Sequence, residues 1–238
     1  MVRVLFSKYT GALHFCSPSP NTINIINLEP ASLNWKQKFK NLTKHSSCMS
    51  LKSQADQIVS REISKAEKVR LLCELVKEIP YSVQSSFDPE DLVKKGTGSC
   101  TPKHIFLANY FKKFGMKTKF LVVPFHYYRS KLKFAPSAMP IVKALPLAYH
   151  TALKVKVQEK YVIVDVTWDS KLKGFPINKN WDGLSDMELA VVPEELVETE
   201  ADPREFTKPL KEKYSTKEKK AIEKFIVFFN KFCEKARE

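Results

Sequence analysis

The spacing of apolar positions changes period along this chain, and each change predicts an element. From Leu51 onward the apolar residues recur at helical spacing. Ser64-x-x-Glu67 matches a capping box ahead of Val69, Leu72, Cys73, Val76 and Ile79, which form one stripe of a helix that Pro80 ends. Cys73, on that stripe, reads as core. The run His104 to Phe114 is apolar around most of a helical circumference, which predicts a central, buried helix that Gly115 closes from the left-handed conformation. Lys119 to Pro124 reads as a strand leaving it. The period then falls to two: Tyr149 to Val157 and Tyr161 to Trp168 read as strands joined by a turn at Gln158-Glu159-Lys160. Between Pro124 and this hairpin, residues 126–149 carry Pro136, Pro140 and Pro146, too many for a long regular element; ordered loops of this length are usually functional, so this one is expected to border a cleft. Near the end, Ser215-x-x-Glu218 caps a helix with Ile222, Phe225, Ile226, Phe229 and Phe232 on one face. That face is expected to pack on the domain, with a membrane surface as the alternative.

Candidate chemistry sits where two of these elements begin. Gly96-Thr97-Gly98-Ser99-Cys100-Thr101-Pro102 makes a turn into the apolar helix, and a proline suits a first helical turn because its missing N–H costs nothing there. Cys100 is thus expected at a helix N-terminus, where unpaired N–H groups and the helix dipole favour the thiolate. In a hairpin with a two-residue loop at Gln158-Glu159, Ala152 lies opposite Asp165 and His150 projects from the same face, within reach of the carboxylate. A register slip of one residue would separate them. His104, on the Cys100 helix face, is the rival base, but it lacks an orienting partner. Tyr81 and Gln84 are candidate donors to an oxyanion alongside the Cys100 N–H. Trp168 and Tyr149 are candidate cleft walls. Asp169 is a second carboxylate, at or past the strand end.

Gly-x-Gly-Ser-Cys100 at a helix start, His150 at the head of a strand, and Asp165 in Val-Asp-Val-Thr-Trp on the next strand resemble the transglutaminase-like superfamily of papain-like cysteine enzymes. Glu78-Ile79-Pro80-Tyr81 and Phe114 to Phe120 also fit its pattern, and the likeness spans Ser64 to Trp168. The aromatic usual two positions after the family's histidine is replaced by Ala152. The resemblance implies an α+β, papain-like/transglutaminase-like core, with the cysteine at the N-terminus of a central helix packed on an antiparallel sheet. It also implies a Cys100-His150-Asp165 triad that cleaves amides through a thioester, with no cofactor and no metal. Water as second substrate would make a peptidase or amidase acting on proteins or peptides, which is the expected activity. An amine would make a protein-glutamine acyltransferase.

Composition adds two qualifications. The formal net charge of +14 on 238 residues is high for a chain that is 43% hydrophobic and 28% charged, so a nucleic-acid partner, or a noncatalytic basic interaction module, stays open. The lysines are nevertheless spread over exposed helix faces, which reads as a solvated surface. The five cysteines are odd in number and form no C-x-x-C pair, which suggests neither a zinc site nor a disulfide framework; a reducing cytoplasm is the expected compartment. No run of about 18 apolar residues predicts a membrane span. Residues 1–50 hold six Lys or Arg against the single acid Glu29. They read as a poorly ordered extension, an organellar transit peptide, or an upstream stretch preceding a start at Met49. The expected organisation is therefore an extension over 1–50, a catalytic domain over 51–196, and a linker with a C-terminal amphipathic helix over 197–238.

Overall fold

Serine caps and glycine turns explain how the central helix is delivered. The computed structural model describes residues 49–84 and 86–238; of the extension expected over 1–50, residues 1–48 lie outside the described residues. Helix α1 (Leu51–Ser60) and helix α2 (Lys65–Lys77) come first, each with a serine cap: Ser50 accepts from the Ser53 N–H, and Ser64 from the Glu67 N–H. Helix α3 (Pro89–Lys95) then ends at Gly96 and leads to helix α4 (Cys100–Lys113). Between them Gly98 is clamped against Tyr81: the Gly98 N–H donates to Pro80 O and the Ser82 N–H to Gly98 O. A Cβ at Gly98 would stand 2.4 Å from the Leu92 side chain, so a larger residue here would have to displace Leu92. At the far end Gly115 takes φ +73°, with its N–H on Lys112 O and the Met116 N–H on Phe111 O, the Schellman closure expected of it.

Strand β1 (Thr118–Phe125) leaves that closure. It pairs antiparallel with β2 (Ala148–Val157), which pairs antiparallel with β3 (Lys160–Val164). The hairpin register, Val157↔Lys160 through Leu153↔Val164, is the one a two-residue loop at Gln158-Glu159 dictates, and Gln158 takes φ 54° in that loop. The second strand is shorter than its apolar run suggests. It stops at Val164 because the Asp165 carboxylate accepts from both the N–H and the Oγ–H of Thr167, an Asx-type turn that competes with the ladder. The proline-rich stretch between β1 and β2 contains two 3-10 turns and the short helix α5 (Met139–Lys143).

The stretch from 197 onward does more than link. Strand β4 (Val197–Thr199) pairs with the outer edge of β1, giving the four-stranded antiparallel order β3-β2-β1-β4. Helix α6 (Pro203–Glu212) follows, then helix α7 (Thr216–Arg237), whose capping box at Ser215 and Glu218 is complete. The described residues thus form a mixed α+β fold of seven α-helices and one antiparallel sheet. Helix α7 packs on the domain: Phe225, Phe229 and Cys233 are buried against Tyr81, Trp168 and Phe175. Burying a phenylalanine contributes about 1.5–3 kcal/mol, which holds this face down without a membrane. No helix among the described residues is long and apolar enough to cross one.

One buried cation ties the layers together. Lys103, three residues after Cys100, is fully buried and donates to Lys77 O (3.3 Å), Val166 O (3.4 Å) and Thr167 O (3.0 Å). It thereby joins the end of α2 and the turn after Asp165 to the first turn of α4. Burial pushes its pKa down to about 7, with Asp169 and Glu78 working against the fall. Lys103→Met leaves three carbonyls without their donor and is expected to lower unfolding free energy by about 1–3 kcal/mol in urea titration.

Candidate active site

Cys100 occupies the first position of α4, where the N-cap Ser99 makes no side-chain capping bond, so the helix's first N–H groups are not claimed by a cap. Cys100 as a residue is partly exposed, whereas Cys73 and Cys233 are buried. Helix α4 is held to β2 by a 3.0 Å hydrogen bond between the hydroxyls of Thr101 and Thr151, one residue beyond Cys100 and His150 respectively. His150 and Asp165 meet as the register requires, His150 Nε2 lying 2.8 Å from Asp165 Oδ2. That contact leaves Nδ1 as the ring nitrogen for the sulfur.

Asp165 is fixed from every side. Its Oδ2 also accepts from the Ala190 N–H at 2.8 Å, and its Oδ1 from the Thr167 N–H and Oγ–H at 3.1 and 2.6 Å. Burial alone would raise its pKa, but the His150 charge and hydrogen bond, with His104 and Thr167, hold it well below the usual carboxylate range. For His150 burial would discharge the ring; the charges of Asp165 and of the Cys100 sulfur outweigh it and raise the imidazolium to about 10. Burial would likewise push the Cys100 thiol up. The His150 charge and hydrogen-bonding interaction, with the Thr151 N–H, bring it below its ordinary value, against a smaller opposing push from Asp165. The three groups therefore favour thiolate beside imidazolium.

His104 is excluded as the base by its bonds. Its Nδ1 donates to Cys100 O at 2.8 Å, and its Nε2 accepts from the Val166 N–H at 3.1 Å, which fixes one neutral tautomer with no nitrogen left over. Burial drives its pKa down to about 4. Its ring stands across that of His150 at 6.2 Å and 87°. It is a brace between the Cys100 helix and the turn bearing Asp165. His104→Ala is expected to cost about 1–3 kcal/mol in chemical denaturation, while iodoacetamide labelling of Cys100 keeps its pH profile.

The remaining candidates divide. Tyr81, Gln84 and Tyr149 all line a cleft of about 370 Å³ that also exposes Cys100, and Trp168 and Tyr149 line a second cavity of about 60 Å³ shared by Cys100 and His150. As a donor, however, Gln84 is engaged elsewhere, whereas the Tyr81 hydroxyl interacts with Tyr127 and with the Cys100 sulfur. The Gln84 amide nitrogen is bonded to both the carbonyl and the hydroxyl of Thr97, and the Tyr81 N–H goes to Asp169. Asp169 is structural: Arg237, near the end of α7, meets it with Nε at 3.2 Å and Nη2 at 2.7 Å, and Nη2 also donates to Tyr81 O. Residues 126–149 border both openings, through Tyr127 and the segment from Leu145 to Tyr149. No group of acidic, histidine or cysteine side chains that could hold a metal ion is found among the described residues.

No protein-family model matches this chain, and no curated protein matches it either.

Proposed function

We propose that this chain is a cysteine enzyme of the transglutaminase-like kind that breaks amide bonds through a thioester, with Cys100 as nucleophile, His150 as acid and base, and Asp165 as the group that orients it. The observation that carries the proposal is the 2.8 Å contact between His150 Nε2 and Asp165. With Nε2 pinned on a low-pKa carboxylate, His150 presents Nδ1 to the sulfur and can hold the thiol's proton there. The thiolate attacks the amide carbonyl, and the oxygen's developing charge lies at the N-terminus of α4, where the Cys100 N–H is not taken by a side-chain cap. His150 then gives the proton to the leaving amine as the tetrahedral adduct collapses to a thioester. In the second half, His150 takes a proton from water, which attacks the thioester and releases the acid and free thiol.

Hydrolysis is the reading that the small cavity supports. At about 60 Å³ it has room for a few water molecules, and it lies on the His150 side of the sulfur, where the amine leaves and water enters. Trp168 Nε1 and Ser130 Oγ, both buried in its walls, find no partner among the described residues and suit a small polar guest. A panel of peptide carboxamides and internal peptides, read by ammonia release and by mass spectrometry, tests the proposal. Turnover should vanish in Cys100→Ala, and turnover that survives this substitution would refute it.

A further inference from the structure

The larger cleft holds a cation without a counterion. Lys211, in the last turn of α6, lines this cleft together with Cys100. Its Nζ stands 4.8 Å from the centre of the Phe87 ring, and it is partly buried. No carboxylate among the described residues pairs with it, although Glu205 and Glu212 line the adjoining hollow that it also borders. The one charged group acting on it is the Cys100 sulfur, and burial lowers its pKa. A half-buried ammonium facing a cleft, with acids nearby yet unpaired, is placed to meet an anion that the fold does not supply. A second donor is unclaimed in the same wall: the Ser99 hydroxyl is buried and has no partner among the described residues.

Position assigns the side of the substrate. His150, which must reach the leaving amine, lines the small cavity and not this cleft, so the cleft receives the acyl portion. Much of its remaining wall is apolar, with Leu145, Leu147, Ile222, Phe225 and Ile226 supplied by the segment before β2 and by α7. We propose that Lys211 is the specificity residue of this cleft and pairs with a carboxylate on the acyl side of the substrate. The preferred substrates are then peptides or other amides whose acyl part carries an apolar side chain beside an acidic one. This inference rests on the cysteine-enzyme reading, and two arms separate their failures.

The first arm needs no turnover: inactivation of the full chain by two peptidyl chloromethyl ketones, identical but for a leucine–glutamate or a leucine–glutamine pair, with the modified residue located by mass spectrometry. Wild type should react about tenfold faster with the glutamate reagent. The ratio should fall to about one in Lys211→Met, and Lys211→Glu should prefer a lysine-bearing reagent. A glutamate preference that survives in Lys211→Met overturns the assignment. So does a shift of the iodoacetamide pH profile in Lys211→Met with the reagent ratio intact, because Lys211 would then serve the thiolate and not the ligand. The second arm is hydrolysis of the matching carboxamides. Selective inactivation of Cys100 with no ammonia release would contradict the amide reading and leave the Lys211 assignment standing. Cys100 no more reactive than Cys233 would sink both.

Discussion

His150→Ala is expected to cut amide turnover by about a thousandfold, the scale of a positioned acid and base, and to change how the remaining activity depends on pH. Two losses combine. The leaving amine is deprived of its proton donor, and the sulfur loses the imidazolium whose field holds its pKa down. The burial that opposes ionisation stays, so the variant's thiol should titrate at or above the ordinary cysteine value of about 8.5, and its activity should climb through that range. Added imidazole should restore part of the rate if the lost ring is what matters. Steady-state kinetics from pH 5 to 9.5, with and without imidazole, decides this.

Asp165→Ala is expected to have the largest effect on stability of any single change in the site. It strips an acceptor from His150 Nε2, the Ala190 N–H, the Thr167 N–H and the Thr167 hydroxyl together, and leaves an imidazolium buried without its carboxylate. Breaking a buried pair on one side costs about 3–5 kcal/mol. The pH dependence has a definite sign. His150 is raised from 6.5 to about 10, so the stability it lends is complete below 6.5 and is lost as pH rises through about 10. Asp165 is lowered from 3.8, so its share is complete above 3.8 and is lost as pH falls through its depressed value. Urea unfolding across pH 4 to 10 should show wild type losing stability on the alkaline side, and Asp165→Ala should show less of that loss from a lower starting point.

The parts of the site that were legible in the residues are those governed by short-range rules. A two-residue loop sets the hairpin register, and alternation then places His150 and Asp165 on one face; a glycine turn and an early proline place Cys100 at a helix start. The parts that were not legible depend on tertiary contacts. Val197 to Thr199 is too short to show a strand period and becomes β4 only because the edge of β1 is open to it. A lysine on a helix reads as solvated, yet Lys103 is buried because three carbonyls from other segments converge on it. Gln84 carries the right donor for an oxyanion, but Thr97, thirteen residues away, takes it. The amphipathic face of α7 announced packing, though not that Ile222 and Ile226 would wall the cleft beside Cys100.

The central claim is that Cys100 rests as a thiolate beside the His150 imidazolium, and its most direct test is the iodoacetamide labelling rate of Cys100 against pH, followed by mass spectrometry. The account predicts a rate at pH 6 far above that of Cys233, nearly flat to pH 8, and reduced to ordinary thiol titration in His150→Ala. A wild-type rate that instead rises tenfold per unit through pH 8, as for an unperturbed thiol, and is indifferent to His150→Ala would contradict it.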